Sequence, residues 1–172
     1  RVRRTSEKFL WPVLNLKTYN PELPGSHMKE FRNIQNRFLR EHTLETVPAG
    51  RVAKDSLHAL VDLWEKNRPA KHRAYSAEYH ALIDDGFAGT ADALAFILDG
   101  TPHALSAGWP IPNSTSYYHS LALHTYAYWG LGEMLMLQSL ARMKERGYAS
   151  ANLGGSDAKL LAFKKKFGEV ET

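Results

Sequence analysis

The chain contains no cysteine among its 172 residues. Disulfide bridges, thiolate nucleophiles and cysteine-ligated zinc sites are therefore excluded, and the absence favours a cytoplasmic protein. No apolar run approaches the roughly 18 residues that a membrane-spanning helix needs, so we expect no transmembrane segment. The basic start, Arg1–Arg4, is not followed by an apolar stretch long enough for a signal peptide.

Motifs of several common enzyme classes are also absent. The sequence has no GxSxG motif, no Walker A motif and no Rossmann glycine fingerprint. Its eight histidines show no HExxH or comparable ligand spacing. A hydrolase triad is therefore unsupported, and we expect no metal.

The composition is that of one ordinary folded domain. Hydrophobic residues make up 44% and charged residues 23% of the chain, which is long enough for one domain with a core and short for two. The net charge is +4 and the pI is about 9.3. This excess mildly favours an anionic partner, such as nucleic acid, a phosphate-bearing cofactor or an acidic lipid.

Hydrophobic periodicity and turn residues divide the first half into strands and helices. The segment FLWPVLNL predicts a strand ending near Leu16, and TLETV predicts a second strand. Helices are predicted over residues 27–41, Lys54–Asn67 and Ser76–Phe87. Basic side chains of the first of these helices could follow a phosphate backbone or simply be solvated: Arg32, Arg37 and Arg40.

The second half predicts strand, strand, strand, helix, strand, helix. Asp99-Gly100 between two apolar runs indicates a hairpin, and STSYYHSLALH continues as a third strand. A helix over Gly130–Arg146 is ended by Gly147, ASANL forms a short strand, and Ser156 caps the last helix. The intervening helices favour parallel pairing of the later strands.

The last helix carries three consecutive lysines. At about 100° per residue, Lys164 lies about 40° from Leu160 on the apolar side, whereas Lys166 points away. An inward ammonium is costly without an anionic partner. Lys164 could therefore extend along the apolar stripe to water, or stand at the mouth of a site and contact a phosphate or an oxyanion.

Two loops offer further binding groups. The glycines of YWGLGEMLM precede a helix and could present free N–H groups to a phosphate, although Glu133 would compete for the same positive end. The alternative is a tight strand-to-helix turn. The stretch GWPIPNSTSYYH joins two strands with large or polar residues that could line a substrate pocket or anchor a hairpin: Trp109, Asn113, Tyr117 and Tyr118.

These elements resemble the GCN5-related N-acetyltransferase superfamily in their order: hairpin, strand, a GLGE helix, a strand ending at Asn152, and a helix closing with FKKKFG. The segments LPGSHMKEFRNIQNRF, FILDGTPHALSAGWPIPN, MKERGYASANLGGSD and LLAFKKKFG are similar, more narrowly, to the C-terminal domain of phosphatidylglycerol lysyltransferases. That branch is itself similar to the FemABX peptidyltransferases, which use aminoacyl-tRNA. The resemblance covers Trp11 to Gly168.

The resemblance implies an α/β fold, with a central mixed twisted sheet flanked by helices and an N-terminal helical arm. Residues 1–172 would form a single acyltransferase domain, one half of a tandem arrangement common in the family. The fold normally continues with a final strand beyond Gly168, so an exposed sheet edge is expected here. The implied activity moves an acyl or aminoacyl group from aminoacyl-tRNA or acetyl-CoA to an amine or hydroxyl of a small molecule, lipid or peptide.

Two departures from the acetyl-CoA enzymes point towards the FemABX-like branch. Ala127 stands where those enzymes carry Gln or Arg, and Lys164 stands where they often carry a tyrosine acid. By resemblance, Lys164 would be the catalytic group, contacting the donor phosphate or stabilising the oxyanion. The predicted donor-binding residues are Gly130, Leu131, Gly132, Asn152, Ser156 and Asp157. The predicted acceptor pocket is Trp109, Asn113, Tyr117 and Tyr118, and the predicted phosphate or RNA contacts are Arg32, Arg37, Arg40 and Lys165.

Two alternatives remain open from the sequence. One is an acetyl-CoA-dependent N-acetyltransferase of a small amine, which Ala127 and Glu133 disfavour. The other is a catalytically degenerate core that binds RNA or a protein partner through its arginines and lysines.

Overall fold

The structure is a computed structural model that describes residues 10–68 and 76–172. Within these ranges the chain forms seven strands and five α-helices. The strands are β1 (Val13–Asn15), β2 (Leu44–Pro48), β3 (Asp92–Leu98), β4 (Thr101–Pro110), β5 (Ser116–His124), β6 (Ser150–Asn152) and β7 (Val170–Glu171). The helices are α1 (Lys29–Glu41), α2 (Lys54–Lys66), α3 (Ser76–Asp84), α4 (Leu131–Glu145) and α5 (Ala158–Lys165).

The strands form one mixed sheet in the order β2-β3-β4-β5-β6-β1-β7. Neighbouring strands are antiparallel except β5 and β6, which run parallel. The parallel pairing predicted for the later strands is therefore confirmed, as is the α/β fold class with a mixed sheet. The β5–β6 pairing covers only Ser116–Tyr118 against Ser150–Asn152, and β5 then continues to His124 paired with β4 but no longer with β6. The two strands thus part in the middle of the sheet.

The first strand was predicted from the sequence, but its place in the sheet was not. β1 inserts between β6 and β7, with Val13 opposite both Asn152 and Glu171. Its central residue, Leu14, is fully buried. A final strand, β7, does follow Gly168, so the expectation that the chain lacks one is wrong, although β7 has only two residues.

Turn geometry fixes the ends of several elements. Asp99 and Gly100 both have positive φ, 51° and 76°, as the two-residue turn of the predicted hairpin requires. Helix α3 ends at Asp84 instead of Phe87, because Gly86 and Phe87 adopt left-handed backbone that no right-handed helix can include. Gly147, at φ 85°, ends α4 as predicted.

Helices cover both faces of the sheet. Helices α2 and α3 pack on one face, in an apolar cluster that includes Leu57, Leu105 and Leu121. Helices α1, α4 and α5 pack on the other face. The predicted N-terminal helical arm is α1, and it is an integral part of this layer: the Phe31 ring stacks on the Phe167 ring at 4.6 Å between centroids.

Candidate functional site

Lys164 of α5 lies beside the point where β5 and β6 part. Its side chain is buried, with 6% of the residue exposed. The Nζ atom donates to the backbone oxygen of Leu153, to that of Gly154 at 3.4 Å and to Ser156 Oγ at 3.0 Å. Three acceptors match the three donors of an ammonium group. The sequence correctly predicted the inward direction of Lys164, but the amine neither reaches water along the helix nor stands alone.

Burial lowers the pKa of Lys164 to about 8, and the carboxylate of Asp157 partly opposes this shift. The side chain is thus mostly protonated at neutral pH and carries its positive charge inside the protein. A charge in such a place acts strongly on nearby charge, because little water is present to screen it.

The segment after β6 is shaped to hold this amine. Gly154 has a φ of 76°, and its N–H donates to Asn152 Oδ1 at 3.0 Å. Ser156 Oγ donates to the Gly154 oxygen at 3.2 Å while it accepts from Lys164. Two of the predicted donor-binding residues, Asn152 and Ser156, therefore meet Lys164 in one small region.

The residue that caps α5 is Asp157, so the prediction that Ser156 is the cap was wrong by one position. The Asp157 carboxylate accepts from Leu160 N at 2.8 Å. An N-cap must directly precede the first helical residue in extended backbone, which Asp157 does at φ −72° and ψ 176°. With the helix so placed, Leu161 is buried beside Lys164, whereas Leu160 is exposed.

A buried histidine adjoins this region and was not singled out from the sequence. His119 of β5 is 3% exposed, and its Nε2 lies 2.8 Å from Ser106 Oγ, which in turn lies 3.0 Å from Ser139 Oγ of α4. Burial, together with the charge of Lys164, lowers the pKa of His119 to about 4. The imidazole is therefore neutral at pH 7. The sequence could have indicated this position, because side chains alternate between the two faces of a strand. The place of a histidine in an alternating apolar strand therefore determines the face to which it points.

The two glycines at the start of α4 are needed first of all for close packing. Gly130 has a φ of 85°, and a Cβ there would lie 3.0 Å from Ile34 Cγ2 of α1. A Cβ on Gly132 would lie 2.7 Å from His124 Nε2. Leu131 between them is fully buried, so only its backbone could meet a donor. No side chain caps this helix, which leaves its first amides available to an anion, with Glu133 beside them.

The structure brings together only part of the predicted acceptor pocket. Trp109 and Tyr118 face each other across β4 and β5 with ring centroids 5.2 Å apart, and Trp11 joins them at 6.2 Å from Tyr118. Tyr117, the adjacent residue on β5, points to the opposite face, where burial raises its pKa and its ring packs on Tyr148. Asn113 is exposed in the β4–β5 turn.

The residues predicted to contact phosphate also lie apart from one another in the structure. Arg32 donates to the backbone oxygens of Leu23 and, at 2.7 Å, of Gly25, so it holds the loop before α1. Arg37 and Arg40 lie further along α1, where Arg37 contacts Trp129 of the loop that leads into α4 and Arg40 pairs with Glu41. Lys165 is exposed on α5.

Residues 10–68 and 76–172 contain neither a candidate metal site nor a candidate membrane-spanning helix. In that part of the chain, no group of three or more His, Asp or Glu side chains could hold a metal ion. None of its helices is both long enough and apolar enough to cross a bilayer.

Comparison with protein families identifies the chain. The family model described as "Phosphatidylglycerol lysyltransferase, C-terminal" matches residues 13–169, nearly the whole chain. The chain belongs to this family. A search of curated protein sequences found no match.

Solved structures agree with the family in fold. The L-PGS of Bacillus licheniformis is 19% identical with a TM-score of 0.67, covering 95% of this chain and 59% of that one. The C-terminal domain of a lysylphosphatidylglycerol synthetase from Agrobacterium fabrum is also 19% identical, with a TM-score of 0.66 and coverages of 94% and 57%. This chain thus spans less than two thirds of the length of these two relatives.

The likeness extends to the wider acetyltransferase superfamily. A GNAT family acetyltransferase from Brucella melitensis, in complex with acetyl-CoA, is 16% identical with a TM-score of 0.53, covering 71% of this chain and 82% of that one. The GNAT-like fold expected from the sequence is therefore confirmed. At these identities the likeness concerns the fold alone.

Proposed function

We propose that this domain transfers an aminoacyl group, or more generally an acyl group, from an activated donor to an amine or hydroxyl acceptor. The observation that carries the proposal is the buried, protonated Lys164 amine at the place where β5 and β6 part. The acceptor would attack the donor carbonyl directly, with no covalent intermediate on the protein. Family membership supports a lysyl-tRNA donor and a phosphatidylglycerol-type acceptor.

Lys164 would stabilise the negative charge that develops on the carbonyl oxygen during attack. Its amine is already positioned by its bonds to Leu153 and Ser156, so the protein reorganises little as the charge appears. The contact to the Gly154 oxygen is long, at 3.4 Å, and is the one that an oxyanion would replace most easily.

The bonding changes balance within the two substrates. A bond forms from the acceptor nitrogen or oxygen to the carbonyl carbon, and the ester bond to the donor ribose breaks. The proton that the acceptor loses is matched by the proton that the departing ribose oxygen gains. The protein's contribution is to orient the two substrates and to stabilise the oxyanion.

Several residues support an RNA donor over acetyl-CoA. Ala127 lacks the polar side chain that the resemblance associates with acetyl-CoA enzymes, and Glu133 would repel a pyrophosphate at the start of α4. A donor of this kind is made in the cytoplasm, which would place the domain there. Trp109, Tyr118 and Trp11 would contact the acceptor, since they lie together at the exposed side of the parting strands.

A second candidate is acetyl transfer from acetyl-CoA to a small amine. The uncapped start of α4 and the structural likeness to an acetyl-CoA complex favour it. One experiment distinguishes between lysyl-tRNA and acetyl-CoA as the donor. The purified chain is supplied with radiolabelled lysyl-tRNA and phosphatidylglycerol vesicles, and separately with acetyl-CoA and a panel of amines.

The decisive variant is Lys164→Ala. We expect transfer to fall about 10²–10³-fold, as when one oxyanion donor is removed. Lys159→Ala, on the exposed side of the same helix, is the matched control and should keep full activity. Because Lys164→Ala also leaves a cavity, Lys164→Met, which fills a similar volume without a charge, is tested beside it, with circular dichroism to confirm folding. Full activity in a folded Lys164→Met variant would overturn the catalytic role.

A further inference from the structure

A second cluster of aromatic and basic side chains lies between the end of β5 and the start of α4. We call it the β5–α4 surface and define it by Tyr126, Tyr128 and Trp129 of the loop and by Arg37 and Arg40 of α1. Tyr126 is 63% exposed and Trp129 is 59% exposed. Two large aromatic rings so open to water within one short loop indicate a candidate binding surface.

The rings of this surface are held in place. The Tyr128 hydroxyl donates to Asp99 Oδ2 at 3.2 Å, and its ring meets the edges of His42 and His103 at 5.0 and 4.8 Å. Tyr126 lies edge-on to His124, with centroids 5.1 Å apart. The surface is therefore a formed platform, on which a ligand would lose little free energy in ordering side chains.

Arg37 stands next to the exposed Trp129 ring, and Arg40 lies one helical turn further along the same side of α1. The Arg37 guanidinium lies 4.8 Å above the centre of the Trp129 ring, and its Nε donates to Glu41 at 3.0 Å, which fixes its plane. The Arg40 side chain is 73% exposed. Arginine covers one side of Trp129 while more than half of the residue stays open, an arrangement that suits a planar, negatively charged partner.

We infer that the β5–α4 surface binds the unpaired end of an RNA molecule, with bases stacked on Trp129 and Tyr126 and phosphates at Arg37 and Arg40. Aromatic rings beside arginines are the usual means of holding single-stranded RNA. The inference rests on the proposed function, because it names how that function's donor is held.

The position of the surface agrees with this partner. β5 runs from His119, beside Lys164, to His124, beside Tyr126, a length of about 16 Å at roughly 3.3 Å per residue. An RNA end that lies on the surface can thus extend its terminus along β5 to the Lys164 amine. The cluster of Trp11, Trp109 and Tyr118 lies where the parallel pairing ends, on the face of β5 opposite to Tyr117, and stays free for the acceptor.

The test measures binding without any transfer reaction. Fluorescein-labelled single-stranded RNA ending in CCA and an uncharged tRNA transcript are titrated with the full chain by anisotropy. We expect Trp129→Ala to weaken binding about tenfold or more, since stacking contributes about 1–3 kcal/mol per base. Arg37→Gln should weaken binding and lower the slope of log affinity against log salt by about one.

Matched controls separate this surface from general effects of charge and aromaticity. Trp11→Ala removes an equally exposed tryptophan elsewhere, and Arg51→Gln removes an exposed arginine after β2. Both should keep wild-type RNA affinity. Equal RNA affinity in Trp129→Ala and Trp11→Ala would overturn the inference. So would a loss of binding to anionic vesicles, but not to RNA, in Trp129→Ala, because the surface would then recognise lipid.

Kinetics distinguish failure of this inference from failure of the proposed function. If transfer occurs, Trp129→Ala should raise the KM for the RNA donor and leave kcat unchanged. Transfer that needs Lys164 but has the same donor KM in Trp129→Ala overturns the surface alone. RNA binding that needs Trp129, in a chain that transfers nothing, supports the surface and overturns the function.

Discussion

The two faces of the sheet bury different kinds of side chain. Beneath α2 and α3 the core cluster is wholly apolar. The face beneath α1, α4 and α5 also buries a lysine, a histidine and three serines: Lys164, His119, Ser106, Ser139 and Ser156. Burying polar groups is costly, and among the described residues each fully buried side-chain polar atom has a partner.

The polar groups are not scattered over their face. His119 lies on β5, Ser156 follows β6, and Lys164 reaches towards both from α5. They thus collect where the parallel strands part and where the sheet cannot satisfy its own backbone. The difference teaches that the α2–α3 face buries an apolar core, whereas the other face also holds the buried polar groups around Lys164, and three changes can break or sharpen this division.

The largest effect on stability should come from the apolar face. Leu121→Ala removes a side chain that is 2% exposed in the α2–α3 cluster. We expect the free energy of unfolding to fall by about 2–5 kcal/mol, through lost burial and the cavity left behind. Urea denaturation measures the loss. Leu63→Ala, at a 44% exposed position on α2, is the control and should cost less than about 1 kcal/mol.

Activity per folded molecule should be the same in Leu121→Ala as in the native protein. A variant that keeps its stability, or one that folds fully but transfers poorly, would show that the two faces are not separate in role.

A smaller loss should follow from breaking the polar chain on the other face. Ser106→Ala leaves both His119 Nε2 and Ser139 Oγ without the hydroxyl that they contact. We expect a loss of about 1–3 kcal/mol, the usual cost of a buried polar group left unpaired. Urea denaturation at pH 7 gives the value. In the double variant Ser106→Ala/Ser139→Ala, the loss in free energy of unfolding should be smaller than the sum of the losses in the two single variants. A loss equal to that sum would argue against a connected hydrogen-bonded chain.

The subtlest effect concerns pH. The pKa of Lys164 is about 8 in the folded protein, below its ordinary value of 10.5, so the unfolded chain binds more protons between those values. The free energy of unfolding should therefore rise with pH above 8, whereas transfer should fall as the ammonium is lost. Burial raises the pKa of Tyr19 and Tyr117, so measurements stay below about pH 9.5 to avoid the opposing effect of tyrosine ionisation.

Urea midpoints and transfer rates at three pH values between 7.5 and 9.5 test this opposition. Lys164→Met should remove the Lys164 contribution to the rise in stability. Parallel changes of stability and activity in the native protein would contradict a protonated Lys164 as the active form.

Local patterns predicted the elements that short-range physics decides. The Asp99-Gly100 turn needs two residues of positive φ, and the structure has both. The α1 helix follows from apolar residues at helical spacing, and its Phe31, Ile34 and Phe38 are buried. The inward direction of Lys164 follows from the same geometry.

Features that depend on distant partners, or on a shift of one residue, could not be derived in this way. The cap of α5 moved from Ser156 to Asp157, because both residue types cap helices and only the path of the chain chooses between them. Two of the three acceptors of Lys164 are backbone oxygens, which carry no sequence signal. The opposite directions of Tyr117 and Tyr118, by contrast, follow from strand alternation and were open to prediction.

The place of β1 has a consequence for how the chain reaches this structure. β1 pairs with β6 and β7, which lie at the far end of the sequence, and Leu14 and Leu16 are fully buried only in that arrangement. Contacts between residues so far apart in sequence form late and slow folding, because the intervening chain must first be ordered. On the ribosome, this early segment must wait exposed until almost all of the domain has been made. The first described strand to be synthesised is thus among the last to be buried.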